Sequence, residues 1–329
     1  MSLVPAKCRK CKGLFEADNT KFTAFCPFCG TKLIVQDAIQ YFNVYYNINI
    51  YGGNSADFDI CAGTLMKYKG ASVDVKIPNN VVLIGKEAFK DCAGLASVII
   101  PNSVKRIGES AFAGCTGLTS VTISGSVTSI GESAFAGCSA LTSVTIPDSV
   151  KSIGESAFAG CTGLNSVIIP GSLTSTGECA FEGCTKLTSV TIPGSVTSIG
   201  YAAFENCTGL TSVTISNGVK KIESMAFYGC TGLTSITISY GVKSIGGSAF
   251  QGCTGLTSVT ISDSVKSIEG FAFAGCTGFT SITIPGSVEN IGEYAFRDCD
   301  NLWLVRVPKN CFYYDSSFPP YCKIKKVRR

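Results

Sequence analysis

The chain has 329 residues, a formal net charge of +4 and no histidine. Without histidine, its own residues cannot form a Ser-His-Asp triad, a Cys-His pair or an imidazole metal ligand. Hydrophobic residues make up 45% and charged residues 15% of the chain, a composition that excludes disorder over most of its length. The mild positive charge does not by itself indicate a nucleic-acid or membrane partner.

The first residues, MSLVP, are not followed by the apolar run of a secretory signal, and the first cysteine comes at residue 8. No stretch approaches about 18 consecutive apolar residues, so the sequence predicts no membrane-spanning helix. We therefore expect a cytoplasmic protein. In a reducing compartment, the 18 cysteines require an explanation other than a disulfide framework.

Residues 1–36 contain two C-x-x-C motifs separated by fourteen residues. Their cysteines are Cys8, Cys11, Cys26 and Cys29. This is the spacing of a four-thiolate zinc site, and the segment resembles a zinc ribbon with short strands over 14–25 and 31–35. Four thiolates leave no open coordination position, so the expected Zn²⁺ is structural and supplies folding free energy. Two disulfides are the alternative, which a reducing compartment disfavours.

Residues 37–54 mix aromatic residues with asparagine and form either an extended linker or a strand. Apolar and aromatic side chains alternate there with other residues, which favours the strand. The alternating positions are Phe42, Val44, Tyr46, Ile48 and Ile50.

From residue 79 to residue 308 the sequence repeats every 23 residues, ten times, without insertion or deletion. Phenylalanine recurs at Phe89, Phe112, Phe135, Phe158, Phe181, Phe204, Phe227, Phe250, Phe273 and Phe296. Cysteine recurs at Cys92, Cys115, Cys138, Cys161, Cys184, Cys207, Cys230, Cys253, Cys276 and Cys299. A period of this length is typical of leucine-rich repeats.

The unit 118–140 shows how one repeat is built. It opens with a short strand, L-x-x-V-x-I, continues through S-V-x-S-I-G, and ends with A-F-x-G-C on the far side of the coil. The side chains expected to point inward are Leu118, Val121, Ile123, Val127, Ile130, Ala134, Phe135 and Cys138. A single coil does not bury enough apolar surface to offset the entropy of ordering it, so the coils must stack into a solenoid.

The repeated run P-x-S-V-x-S-I-G-x-x-A-F-x-G-C-x-x-L-x-S-V resembles the BspA-like leucine-rich repeats over residues 55–308. The resemblance implies a leucine-rich-repeat solenoid, α/β or mainly β, wound as a right-handed coil with one parallel sheet. It also implies protein binding or adhesion, and no catalysis. Residues 55–78 resemble the strand pair that opens such arrays and covers the first edge. Residues 309–329 are expected to form a C-terminal cap and a basic tail.

The cysteines of the repeat stand where the pattern requires a small inward side chain, so we expect buried free thiols. Stacked coils about 4.8 Å apart do not give the directional geometry of a disulfide. Four further cysteines fall outside this series: Cys61, Cys179, Cys311 and Cys322. The last two could pair in the C-terminal cap, although a reducing compartment disfavours such a bond.

The residue between the two inward positions of each strand points outward and is the candidate partner-binding position. These residues are Ile99, Thr122, Thr145, Ile168, Thr191, Thr214, Thr237, Thr260, Thr283 and Arg306. With the serine two places earlier, they form a Ser/Thr face suited to repetitive contacts. β-propensity and solubility alone would select the same residues. A crystalline ligand such as ice is disfavoured because solenoids of this kind curve.

Charged residues also recur with the period of the repeat. One position carries Lys105, Lys151, Lys220, Lys243 and Lys266, and another carries Glu109, Glu132, Glu155 and Glu178. We interpret the glutamates as a solvated face, since they lack the contrasting environments that separate a catalytic acid from a base. Further basic clusters are 323–329 and the group Lys7, Arg9, Lys10 and Lys12.

These patterns favour a non-catalytic protein-interaction scaffold with the zinc ribbon as an accessory docking element. One alternative is an adhesin-type surface protein exported without an N-terminal signal. Another is a regulatory nucleic-acid binder that uses the zinc ribbon and the basic tail. The sequence does not name the partner or the oligomeric state.

Overall fold

A computed structural model of the chain describes residues 3–7, 14–18, 23–25, 32–34 and 55–327. The first four of these ranges are strands that pair as two antiparallel hairpins. The first hairpin joins Leu3–Lys7 to Leu14–Asp18, and the second joins Thr23–Phe25 to Lys32–Ile34. The four C-x-x-C cysteines and residues 37–54 lie outside the described residues.

From residue 55 onward the chain winds into coils that contribute strands to two parallel ladders, one of longer and one of shorter strands. The long-strand ladder consists of Asp74–Lys76, Ser97–Ile99, Ser120–Thr122, Ser143–Thr145, Ser166–Ile168, Ser189–Ile192, Ser212–Ile215, Ser235–Ile238, Ser258–Ile261, Ser281–Thr283, Leu304–Pro308 and Lys323–Val327. The short-strand ladder consists of Thr64–Tyr68, Leu83–Ile84, Arg106–Ile107, Ser129–Ile130, Ser152–Ile153, Ser198–Ile199, Lys221–Ile222, Ser244–Ile245, Ser267–Ile268, Asn290–Ile291 and Phe312–Tyr313.

The expectation of one parallel sheet is therefore incomplete, because S-V-x-S-I-G also forms a strand. Hydrogen bonding divides the long-strand ladder into sheets of three, four, two and three strands, and the short-strand ladder belongs to two six-stranded sheets. Within residues 55–327 the helical elements are two 3-10 turns, Ser55–Asp57 and Asp315–Ser317. Of the two classes expected, the described solenoid is thus the mainly β one.

The first edge of the solenoid is formed by a hairpin within residues 55–78. Phe58–Cys61 pairs antiparallel with Thr64–Tyr68, and the second of these strands then pairs parallel with Leu83–Ile84. The solenoid therefore begins with an antiparallel pair, and the following coils add parallel strands to it.

Phenylalanine forms a continuous stack through the core. Consecutive rings from Phe89 to Phe296 have centroids 4.7–5.4 Å apart and planes within 12° of parallel. These separations correspond to offset stacking, which aromatic pairs prefer over a face-to-face sandwich. Tyr68 extends the stack at one end and Phe318 at the other, with centroids 5.0 and 5.3 Å from their neighbours. The stack therefore runs through both terminal coils.

The inward set predicted for the repeat is confirmed, with one qualification. In the unit 118–140, Leu118, Ile123, Val127, Ile130, Ala134, Phe135 and Cys138 are buried. Val121 is partly buried and packs against the core. From Ser97–Ile99 to Leu304–Pro308, each long strand ends at, or within two residues of, a proline or serine, which lacks a backbone donor or competes for hydrogen bonds.

Residues 309–327 continue the winding and do more than cap it. Phe312–Tyr313 joins the short-strand ladder, and Lys323–Val327 joins the long-strand ladder beside Leu304–Pro308. Because Phe318 occupies the next place in the aromatic stack, this segment is a further, shortened coil. The basic tail is accordingly a strand as far as Val327.

The far side of each coil turns through two left-handed residues. In the repeat of Phe135 these are Ser133, with φ of 52°, and Gly137, with φ of 71°. Between the short strand and this turn, Gly131 lies so close to the preceding coil that a Cβ atom would come within 2.7 Å of the Gly108 carbonyl carbon. Glycine at these two places thus permits the turn and the close approach of coils.

The short-strand ladder is interrupted at one coil. Thr176 stands where the other repeats place an inward isoleucine, and its side chain is buried. Its hydroxyl accepts a hydrogen bond of 2.9 Å from the backbone N–H of Gly200. The first six-stranded sheet ends at Ser152–Ile153, and the isolated bridge between Ser175 and Ser198 leads to the second.

Replacing a phenylalanine in the middle of the stack should strongly destabilise the solenoid. Phe204 lies 5.4 Å from both Phe181 and Phe227, measured between ring centroids. We expect Phe204→Ala to lower the free energy of unfolding by about 3–5 kcal/mol, because it removes buried apolar surface and leaves a cavity. Urea titration followed by circular dichroism measures this change. In the control Phe312→Ala, the lost ring is 55% exposed, and an equal effect of both substitutions would contradict the role assigned to the stack.

Candidate interaction surface

The candidate partner-binding residues form a single row along the long-strand ladder. Parallel pairing in register places Thr122 beside Ile99, Thr191 beside Thr214, and Thr237 beside Thr260. All the predicted residues from Ile99 to Thr283 are exposed, and Arg306 at the end is partly buried. Side chains alternate between the two faces of a strand, and the residues on either side of each threonine point into the core. The threonines therefore face outward.

The row is chemically uniform over most of its length. Its members are hydroxyl side chains except for Ile99 and Ile168, which are 41% and 62% exposed, and Arg306 at the C-terminal end. The serine row beside it follows the same register, for example Ser120 beside Ser97. Neutral hydroxyls both donate and accept hydrogen bonds, so this surface can meet varied polar groups without a large desolvation penalty.

The C-terminal end of this surface differs from the rest. There Leu304 and Arg306 occupy the serine and threonine positions, and the next strand places Lys323 and Lys325 beside them. Trp303, immediately before that strand, is 59% exposed. Because the 23-residue repeat ends at residue 308, the sequence indicates only a basic tail for these lysines. It does not predict that they lie on a strand of the ladder. Only the short apolar-basic alternation KIKKV could have indicated a strand there.

Charged residues occupy the other sides of the coils. Lys220, Lys243 and Lys266 are exposed on consecutive coils, and the Nζ atom of Lys266 lies 2.7 Å from the Glu289 carboxylate. The predicted glutamate column, from Glu109 to Glu178, is exposed as well. Glu109 forms an ion pair of 2.6 Å with Lys86. Ion pairs this exposed contribute little to stability, so these columns are solvated surfaces.

The recurring cysteines are free thiols directed into the core. Those from Cys115 to Cys299 are fully buried, whereas Cys92, at the first coil, is partly exposed because fewer coils cover it. Each buried sulfur donates a weak hydrogen bond to the phenylalanine carbonyl of the preceding coil, as from Cys207 Sγ to Phe181 O at 3.1 Å. Cys311 and Cys322 are free thiols too, so the suggested bond between them does not form.

Burial makes these thiols poor nucleophiles. Desolvation raises the pKa of Cys207 to about 12, and that of Cys253 to about 12, above an ordinary value near 9. Cys179, on the outer turn, is less buried, and desolvation together with Glu182 raises its pKa to about 11. Thiolate chemistry at neutral pH is therefore disfavoured at these cysteines.

The described residues contain neither a cluster of metal-ligating side chains nor a helix that could span a membrane. Within them, no group of three or more Cys, Asp or Glu side chains could hold a metal ion. The expected zinc ligands, Cys8, Cys11, Cys26 and Cys29, lie outside the described residues. No helical segment in the described part of the chain has the length and apolar character needed to span a bilayer.

The raised thiol pKa values predict a loss of stability at high pH. Between pH 9 and about pH 12 the unfolded chain has released a proton that the folded chain still holds at Cys207. The free energy of unfolding therefore falls as pH rises through this interval, by up to about 1.4 kcal/mol per thiol and pH unit. We expect the variant Cys207→Ala/Cys253→Ala to lose less stability than the parent chain between about pH 8.5 and pH 10.5, because it lacks two thiols that stay protonated only in the folded chain.

Urea titrations at both pH values measure the difference. The control Cys61→Ala removes an exposed thiol and should leave the pH dependence unchanged. Equal pH dependence in the parent chain and the double variant would show that the buried thiols do not contribute.

Comparison with known proteins agrees with this architecture. The BspA type leucine rich repeat region, in six copies, matches residues 67–184, 129–245 and 220–328. A leucine-rich repeat protein from Bacteroides ovatus is 26% identical with a TM-score of 0.51, covering 99% of this chain and 98% of that one. A leucine rich repeat protein of T. pallidum is also 26% identical with a TM-score of 0.51, covering 62% of this chain and 90% of that one.

No curated protein matches the chain. The solved relatives are leucine-rich repeat proteins, and both share the repeat fold described above. Because the matched regions together run from residue 67 to residue 328, well over half of its length, the chain belongs to the BspA type leucine rich repeat family.

Proposed function

We propose that this protein is a non-catalytic scaffold that binds a protein partner through the long-strand ladder. The observation that supports this proposal most directly is the outward row, exposed from Ile99 to Thr283, which the register aligns over many coils. Repeat proteins present extended surfaces of this kind to their partners. The free thiols of the repeat are compatible with a reducing compartment, so we further propose a cytoplasmic location.

The chemistry of the row suits broad, adaptable contact. Threonine methyl groups and the exposed Ile99 and Ile168 side chains offer apolar contact, while the hydroxyls satisfy polar groups of the partner. Interfaces draw most of their binding energy from a few aromatic or arginine anchors. In this scaffold such anchors cluster at the C-terminal end, where Trp303 and Arg306 lie.

We further propose that residues 1–36 bind a structural Zn²⁺ through Cys8, Cys11, Cys26 and Cys29. Two pairs of thiolates are the donor set that structural zinc prefers. The two described hairpins support the assignment, because in the sequence each C-x-x-C pair falls between the two strands of one hairpin. When bound, the metal would stabilise a segment whose own core is small, and with four thiolates it would have no open position for a substrate.

Metal analysis tests the zinc proposal. We expect one Zn²⁺ per chain in the purified protein, lost in the variant Cys8→Ser/Cys11→Ser because two thiolates do not hold structural zinc. Elemental analysis with native mass spectrometry measures the stoichiometry. The control Cys61→Ser removes an exposed thiol of the solenoid and should retain the metal. A parent chain without zinc, with these four cysteines oxidised, would contradict the proposal.

Affinity capture tests the scaffold proposal. Placing two carboxylates on the row, as in Thr191→Glu/Thr237→Glu, should abolish specific partners by introducing unpaired charge at the interface. The matched control Thr128→Glu/Thr174→Glu adds the same charge at the same two-coil spacing on the short-strand side, where both threonines are exposed. Quantitative mass spectrometry of the captured proteins compares the variants. Equal capture by all three proteins, or by none, would contradict binding through the long-strand ladder.

A further inference from the structure

The C-terminal end of the long-strand ladder carries a group of side chains found nowhere else on that surface. This C-terminal basic patch consists of Trp303, Arg306, Lys323 and Lys325. Register places Lys325 beside Arg306 and Lys323 beside Leu304, which follows Trp303. Main-chain bonds fix the arrangement, since the Trp303 carbonyl accepts from the Lys323 N–H at 2.9 Å. Three cations and an aromatic ring therefore share one end of the sheet.

The strand Lys323–Val327 is also the edge of its sheet. It pairs with Leu304–Pro308 on one side, and in residues 55–327 no strand pairs with its other side. Such an edge presents unpaired N–H and C=O groups at the spacing of a β-strand. An extended peptide can satisfy these groups by adding a further strand.

The cations of the patch lack partners in the described part of the solenoid. No described carboxylate lies within ion-pair distance of Arg306, Lys323 or Lys325. Lys326, on the opposite side of the strand, differs because its ammonium group lies 4.2 Å from the centre of the Tyr313 ring. Lys326 thus has an aromatic partner, whereas the outward pair, Lys323 and Lys325, is exposed.

The spacing of the cations defines the complementary ligand. Residues i and i+2 of a strand point to the same side, about 6.6 Å apart, so Lys323 and Lys325 match acidic residues at alternate positions of an added strand. Ile324, between them, is exposed on the inner side of the sheet. It would contact apolar residues that alternate with the acidic ones. The matching segment is therefore an alternation of acidic and apolar residues.

A second copy of the chain fits this edge less well. Continuing the ladder onto the opposite end, Asp74–Lys76, would place Lys323 beside Asp74 but Lys325 beside Lys76. One attractive contact and one repulsive contact of equal range offset each other. A nucleic acid would engage the cations and Trp303 but has no backbone groups that continue a β-sheet. An acidic protein segment uses both the charges and the open edge.

We propose that this edge binds an extended acidic segment of a partner protein by strand addition along Lys323–Val327. Carboxylates at alternate positions of that segment pair with Lys323 and Lys325, and Arg306 adds a third cation behind them. Trp303 lies at the same end of the sheet, before the strand that pairs with Lys323–Val327. The inference rests on the proposed scaffold function and names the chemistry of the partner and the place where it binds.

Binding of a short peptide of alternating glutamate and valine to the full chain tests the proposal. Trp303 is the sole tryptophan of the sequence, so its fluorescence reports contact at the patch without a label. We expect saturable binding that weakens about tenfold or more in Lys323→Glu/Lys325→Glu, because like charges then face the peptide. The control Lys220→Glu/Lys243→Glu makes the same charge change at exposed lysines of the short-strand ladder side and should retain binding. Circular dichroism confirms that both variants are folded.

Two further probes separate strand addition from simple charge attraction. Replacing the valines of the peptide by proline keeps every carboxylate but removes every second backbone N–H and disfavours a paired strand, so it should abolish binding. Equal binding of the proline peptide, or tighter binding of a single-stranded oligonucleotide at the same salt concentration, would overturn the proposal. So would concentration-dependent self-association of the chain that Lys323→Glu/Lys325→Glu removes. If the peptide fails while Thr191→Glu/Thr237→Glu still abolishes partner capture, the scaffold function stands and this inference alone fails.

Discussion

The structure depends on the stacking of each coil against the next in a fixed 23-residue register. A single coil has too little apolar surface to offset the entropy of ordering its residues, so its stability comes from its neighbours. The register brings identical residues into contact: phenylalanine on phenylalanine, each buried thiol against the preceding phenylalanine carbonyl, and glycine against backbone. Any residue that breaks one of these columns affects two interfaces, because each coil has a neighbour on both sides.

The same constraint leaves the outward residues free to serve binding. Inward positions are fixed by the need to fill the same space in every coil, whereas Thr191 and its equivalents touch only solvent and their neighbours in the row. Repetition therefore gives a long surface of nearly uniform chemistry. Residues that could distinguish one partner from another then lie where the repeat sequence changes. The clearest such place is the C-terminal end, with Trp303 and Arg306.

Most of the fold could be predicted from the sequence because a 23-residue period leaves few arrangements for residues such as Phe135 and Cys138. The outward row followed from strand alternation at Thr122. The second ladder could not be predicted, since strands as short as Ser129–Ile130 show no alternation to detect. The strand at Lys323–Val327 was missed for a different reason. It forms after the period ends, and its pairing with Leu304–Pro308 depends on tertiary contact. The zinc site stays a prediction from cysteine spacing.

Thr176 has a consequence for how the solenoid opens. Where the other coils bury isoleucine, this hydroxyl bonds to the Gly200 amide, and the first short-strand sheet ends one coil earlier. On the long-strand side, the strand of the same coil, Ser166–Ile168, is joined to the next by the single pair Ser166 and Ser189. In a linear array, cooperativity passes only through adjacent interfaces. Inter-coil hydrogen bonding is thus reduced in both ladders at this coil, and we expect unfolding that starts at one terminus to slow there.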